Sequence, residues 1–133
     1  MKLNTVLGIM VLLSGFLLAQ EHFQPDRMKN MQDMEIAMST IQKGFLYNNL
    51  NVVENGVKDL KITALHIESF IKEGVSKKGI NTLAYAKKET ENITKLADEI
   101  LVSFEKGDRY EAANGYLKIS SKCLSCHQTV RSW

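Results

Sequence analysis

The feature that most constrains this chain of 133 residues lies near its end, where the sequence reads Cys123-Leu124-Ser125-Cys126-His127. Residues three and four positions apart share one face of an α-helix, so one helical turn presents both thiols and the imidazole to the same side. The C-x-x-C-H run is the attachment signature of c-type haem. In such a site Cys123 and Cys126 form thioethers to the haem vinyl groups, and His127 is the proximal ligand of the iron.

Other sites that use cysteine pairs fit the chain less well. A structural zinc site needs four Cys or His ligands, and the chain has two Cys and three His (His22, His66 and His127). A thioredoxin-like dithiol begins a helix in a βαβ unit, and the sequence contains no convincing strand pattern. A disulfide across two residues of a helix has poor geometry. We therefore favour one covalent haem c, with a thiol–disulfide oxidoreductase as an alternative.

The N-terminus predicts export. Met1-Lys2 precedes an apolar run from about Thr5 to Ala19, which is shorter than the ~20 apolar residues of a membrane span and typical of a secretory signal peptide. We predict a signal peptide over residues 1–19, with the exact cleavage site left open and an uncleaved anchor as the alternative. A periplasmic location agrees with the motif, because haem c is attached outside the cytoplasm, where the environment is oxidising.

The remaining residues, 20–133, predict one small domain. Without Lys2 the mature chain has 16 basic and 15 acidic residues. This near-neutral balance, with no basic stripe and no block of like charges, gives no indication of nucleic-acid binding or of a disordered tail. We expect no stable membrane insertion after signal cleavage, and no disulfide outside the motif, which uses both cysteines.

Hydrophobic periodicity predicts an all-α protein. Apolar residues recur at steps of three and four in four stretches, at about 25–48, 52–73, 82–106 and from Asp108 onward. The predicted helix signals are Pro25 at a first position, N-caps at Asn51, Asn81 and Asp108 (the last with Glu111 as a capping box), and stops at Gly74 and Gly107. Short joints between long amphipathic helices favour an antiparallel four-helix bundle.

The inner faces of these helices follow from the same periodicity. The residues expected inside are Met28, Met31, Met34, Met38, Ile41 and Phe45; Leu50, Val53, Val57, Leu60, Ala64, Ile67 and Ile71; Leu83, Ala86, Ile93, Ala97, Ile100 and Phe104; and Ala113, Leu117, Cys123 and His127. The segment 73–79 is the expected flexible joint.

Four helices with C-x-x-C-H at the very end resemble the class II cytochromes c, the cytochrome c-prime family. The resemblance covers the whole mature chain, and class I cytochromes c carry the motif near the N-terminus instead. It implies a haem attached to the C-terminal helix. It also gives Arg131 a role at the haem, since the family commonly has a basic residue four positions after the ligating His; the alternative is a solvated cation at a helix end.

The resemblance also implies a first-helix residue over the distal face of the haem, with an Arg one turn earlier. Arg27 and Met31 reproduce that pair. A second alignment, which matches Lys43 and Gly44 to the end of the family's first helix, places Met28 over the iron. We prefer Met31 because it keeps the whole apolar face of the helix inward.

Two subtypes of the family then differ in function. Where a methionine coordinates, the haem is six-coordinate and low-spin and the protein carries electrons, with a reduction potential raised by the thioether. Where no side chain coordinates, the haem is high-spin and binds NO or CO. Because a methionine stripe is often only core packing, both remain open. We expect an electron carrier rather than an enzyme, with redox proteins as partners and a possible homodimer through the first two helices, and keep gas binding as the alternative.

Overall fold

The computed structural model describes residues 25–72, 74–76 and 78–130. Within these ranges the helices are α1 (Pro25–Leu46), α2 (Leu50–Leu65), the single turn α3 (Ile67–Phe70), α4 (Thr82–Glu105) and α5 (Arg109–Val130). No strand occurs in this part of the chain, where residues 75 and 81 form an isolated bridge. The predicted all-α class is confirmed. The expected signal peptide lies outside the described residues.

The first two long helices form an antiparallel hairpin. Near the start of α1, the Asn30 side chain donates a hydrogen bond of 3.0 Å to the backbone carbonyl of Thr63, late in α2. Near the end of α1, Gly44 lies against Val53, early in α2; a Cβ on this glycine would be 2.6 Å from Val53 Cγ2. Contacts that run in opposite directions along the two helices establish the antiparallel arrangement.

The last two helices form a second antiparallel hairpin. Gly115 early in α5 lies against Ile100 late in α4, and Lys122 lies near Glu89 toward the other end. The hairpins join mainly through α2 and α4, where Lys61 and Asp98 form an ion pair. The four long helices thus have a bundle-like, up-and-down arrangement.

One apolar core runs through both hairpins. Its buried members are Met34, Ala37, Ile41, Val53, Val57, Leu60, Ala64, Ile67, Ala86, Ile93, Ala97, Ile100, Phe104, Ala112 and Ile119. Most were expected from the periodicity, because a helix in water must bury its apolar stripe against a neighbour. None of the described helices is both long and apolar enough to cross a bilayer.

The predicted limits of the second helix are wrong at both ends. Helix α2 begins at Leu50, and Asn49 rather than Asn51 is the N-cap, with its side-chain oxygen accepting a hydrogen bond from the Val52 N–H. The helix ends well before Gly74, at Leu65, where the His66 N–H donates to the Thr63 carbonyl. Asn49 becomes the cap because its backbone is extended, as capping requires.

The signals that flank α4 and α5 are confirmed. The Asn81 side chain accepts a hydrogen bond of 2.8 Å from the Ala84 N–H at the start of α4. After α4 the backbone of Gly107 has a φ of +86°, the left-handed conformation in which helices end. The Asp108 side chain then accepts from the Glu111 N–H at 3.0 Å, so α5 begins where the sequence predicts.

Two predicted faces need correction. In α1, Met28 is 48% exposed and Asn30 is buried in its place, because its amide is satisfied by the Thr63 carbonyl. In α5, Leu117 is 66% exposed and Ala112 and Ile119 are buried. The close approach of α5 to α4 is at Gly115, which lies against Ile100 between these two buried residues.

Candidate cofactor-attachment site

The predicted attachment residues lie together on α5. Helix α5 continues without interruption through Cys123, Cys126 and His127, and each of these side chains is partly buried. Both cysteines are free thiols, and Cys123 packs against the core. The geometry required by the motif, two sulfurs and one imidazole on adjoining positions of one helical turn, is therefore present.

Burial controls the protonation of both thiols. It raises the pKa of Cys123, an effect that a backbone hydrogen bond partly opposes. Burial is also the largest cause that raises the pKa of Cys126 to about 11, followed by the charges of Cys123 and Glu89. Catalytic dithiols have depressed pKa values and sit at helix N-termini or beside cations. These two cysteines lie in the second half of a helix, and their pKa values move in the opposite direction.

An aromatic cluster adjoins the motif. Tyr116, two turns before Cys123, is partly buried, and burial followed by the Cys123 charge raises the pKa of its phenol. Its ring meets Phe45 of α1 edge-to-face at 6.1 Å between centroids, and Phe45 stacks on Phe104 of α4 at 5.5 Å. The cluster connects α1, α4 and α5 on the side that carries Cys123.

The same contact sets the register of α1 against α5. The two helices make little contact with each other, and Phe45 faces Tyr116. Moving eleven residues back along α1 reaches Met34, and moving eleven residues forward along α5 reaches His127; both moves cover about 16 Å. On straight antiparallel axes this count would place His127 near the level of Met34, with Met31 about 4.5 Å further along α1.

The α1 methionines differ in environment. Met34 is 7% exposed and belongs to the core, whereas Met28 is 48% exposed. Met31 and Met38 are partly buried and pack against the core. Met31 is thus intermediate in burial between Met34 and Met28. Arg27, the other member of the expected pair, is partly exposed.

Two surface clefts lie elsewhere. One of about 250 Å³ lies between α1 and α2, and one of about 440 Å³ lies between α2 and α4; neither is lined by the motif residues. Within the described part of the chain, no group of three or more His, Cys, Asp or Glu side chains is placed to hold a metal ion. A haem held through Cys123, Cys126 and His127 would cover these three side chains, which are only partly buried.

Sequence reasoning missed the charged neighbours of the motif. Glu89 on α4 is 5% exposed, and its carboxylate lies 3.4 Å from the Lys122 ammonium. Glu89 follows Ala86 by three residues and precedes Ile93 by four. Because both of those residues were expected inside, the same helical spacing indicates that Glu89 also faces inward. Arg131, the predicted basic residue of the site, lies outside the described residues.

Comparison with protein families, curated proteins and solved structures finds no match to this chain. The assignment of a function therefore depends on the residues and geometry described above.

Proposed function

We propose that this chain is a periplasmic monohaem c-type cytochrome, similar to the class II cytochromes c, that carries single electrons between redox proteins. The observation that carries the proposal is the placement of Cys123, Cys126 and His127 on one turn of an uninterrupted helix. The pKa directions of the thiols support it against a thiol–disulfide enzyme, since burial keeps both sulfurs protonated.

In this function the chain holds and encloses the cofactor. When bound, the haem supplies an iron that gains and loses one electron. Cys123 and Cys126 would hold the macrocycle on α5, and His127 would provide the proximal nitrogen. The Tyr116 ring, which adjoins Cys123, and the partly buried methionines of α1 would border the bound group and limit the access of water, which helps to set the reduction potential.

Met31 is the residue that would supply a distal thioether in this proposal. Its partial burial against the core supports it over Met28, whose side chain is half exposed. A thioether ligand opposite an imidazole gives a low-spin haem with a raised potential, the arrangement of an electron carrier.

Covalent attachment is tested on protein produced together with a haem-attachment machinery. We expect the mass of the chain to increase by one haem, and a pyridine haemochrome spectrum of the c type. Cys126→Ser should shift that spectrum, because one thioether is lost, whereas Ser125→Ala, inside the same motif, should leave it unchanged. Colourless protein with two titratable thiols would refute the proposal and favour the dithiol alternative.

The distal ligand is tested by absorption spectra in both oxidation states. Wild-type protein should be low-spin and should bind CO poorly, whereas Met31→Ala should be high-spin and bind CO readily. Met28→Ala is the matched control and should retain the wild-type spectrum. A wild-type protein that is already high-spin and takes up CO would overturn electron transfer in favour of gas binding, and a low-spin Met31→Ala would exclude Met31 as the ligand.

A further inference from the structure

Helix α4 brings a buried carboxylate to the attachment helix. The Glu89 side chain is 6% exposed, and its Oε2 lies 3.4 Å from Nζ of Lys122, whose side chain is 39% exposed. Its Oε1 accepts a long hydrogen bond of 3.4 Å from Asn92, whereas Oε2 is buried without a hydrogen-bond partner. The ion pair therefore only partly compensates the burial of this charge.

The pair lies next to the thiols. Lys122 and Cys126 are four residues apart on α5, so they share one face and are about 6 Å apart along the axis. Glu89 is held beside this face of α5 by the 3.4 Å contact between its Oε2 and the Lys122 ammonium. A group held by Cys126 would therefore lie near both charges.

We propose that Glu89 and Lys122 form a charge pair that tunes the reduction potential of the haem held by Cys123 and Cys126. This inference rests on the proposed function. Oxidation adds one positive charge at the iron, so a nearby carboxylate favours the oxidised form and an ammonium favours the reduced form. Both effects are larger in a partly buried site than in water, because the local dielectric constant is lower. Neither residue contacts the iron in this proposal; each acts on its potential through the charge of its side chain.

The test is a spectroelectrochemical titration of the holoprotein, with dithionite as the one-electron reductant; no bond of the protein is made or broken. Glu89→Gln keeps the size of the side chain and removes its charge, so we expect the midpoint potential to rise. The expected change in the equilibrium constant for reduction is about tenfold, which corresponds to about 59 mV for a one-electron couple. Glu91→Gln is the matched control, because it removes the same charge from an exposed position of the same helix.

Substitution of Lys122, the other member of the pair, should shift the midpoint potential in the opposite direction. Lys122→Gln should lower the midpoint potential, whereas Lys118→Gln, one turn earlier and 49% exposed, should change it little. Lys122 is partly exposed, so this variant gives a second measurement on the pair; circular dichroism checks its fold, because the buried Glu89 carboxylate loses its counter-charge. The inference would be overturned if Glu89→Gln and Glu91→Gln shifted the midpoint potential equally, or if Lys122→Gln left it unchanged.

The titration separates this inference from the proposed function. Absence of covalent haem from the wild-type protein refutes the proposed function and, with it, the charge pair. Wild-type and variant proteins that carry haem with the same spin state but share one midpoint potential refute only the charge pair.

Discussion

Gly56 sets the distance between α1 and α2, and Gly56→Ala should destabilise the protein. A Cβ at this position would be 2.7 Å from Ile41 Cγ1, 2.8 Å from the Ile41 backbone nitrogen and 3.0 Å from the Ala37 carbonyl oxygen. Two of these three atoms belong to the backbone of α1, which cannot move aside by changing a rotamer. The whole of α1, including Met31, would have to move away from α2.

The expected size follows from two opposing contributions. Overpacking a close contact costs about 1–3 kcal/mol, and we take the upper end because backbone atoms are involved. Replacing a helical glycine with alanine returns about 1 kcal/mol of helix propensity. The net loss in the free energy of unfolding is therefore about 2 kcal/mol, equivalent to a decrease in Tm of roughly 8 °C for a domain of this size.

Gly115→Ala is the matched control. Its nearest contact is the Ile100 side chain, 2.8 Å from Cγ1 and 3.6 Å from Cδ1, and the nearest backbone atom is 3.9 Å away. The gain in helix propensity from alanine should then nearly offset the steric cost of the Cβ contact with Ile100. The free energy of unfolding should therefore change by less than about 1 kcal/mol. Thermal and urea unfolding followed by circular dichroism measure both variants. Equal losses, or a Gly56→Ala protein as stable as wild type, would contradict the reasoning.

Three further predictions concern the helix ends, the surface and the thiols. Arg109→Gln should lower the stability by about 1 kcal/mol in urea unfolding, because the Arg109 side chain donates a 2.8 Å hydrogen bond to Asn48 and joins the two hairpins; an unchanged midpoint would contradict this. Ile36→Glu should convert the expected α1–α2 homodimer into a monomer by sedimentation, because Ile36 is 58% exposed on that face; a monomeric wild type would exclude the dimer. In haem-free Cys123→Ser protein, alkylation of Cys126 at pH 8 should be slower than that of an ordinary thiol, because burial, the largest cause of its raised pKa, is retained when Cys123 is removed; unfolding in urea should restore the ordinary rate.

The same raised pKa fixes a pH dependence of the haem-free chain. The unfolded thiol loses its proton near its ordinary pKa of 9.0, whereas folded Cys126 retains it to about pH 11. The thiol therefore does not change the stability below about pH 9, and the stability falls as the pH rises from 9 to 11. Urea midpoints measured across that interval check the sign, and Cys126→Ser should remove this part of the slope.

Several helix ends could be predicted from the residues immediately around them. Asn81, Gly107 and Asp108 act where the sequence predicts, because a cap depends on a few adjacent backbone groups and one short side chain. The prediction of Asn51 as the N-cap was wrong: Asn49 is the cap, and asparagines at both positions have the same capping propensity, so only the extended backbone of Asn49 distinguishes them. The end of α2 carries no Gly or Pro signal, so it was placed too late.

Only the part of the candidate site that lies on one helix could be predicted from the sequence. The spacing of Cys123, Cys126 and His127 is a property of one helix, and the structure places all three on α5. The Glu89 carboxylate comes from α4 and the Met31 thioether from α1, and their positions relative to the motif depend on how three helices pack. Periodicity also suggested that Leu117 faces inward, although the contact with α4 selected the smaller Ala112 and Gly115.

The sequence alone determined that this chain is helical, where most of its helices start and stop, and which turn carries two thiols and an imidazole. All of these depend on residues at most four positions apart, whose interactions are fixed once the backbone is helical. Only the tertiary structure decided the rotation and level of each helix against its neighbours. Side-chain volume contributes to that choice, because at Gly44, Gly56 and Gly115 the helices approach too closely for a Cβ to fit unless a neighbour moves.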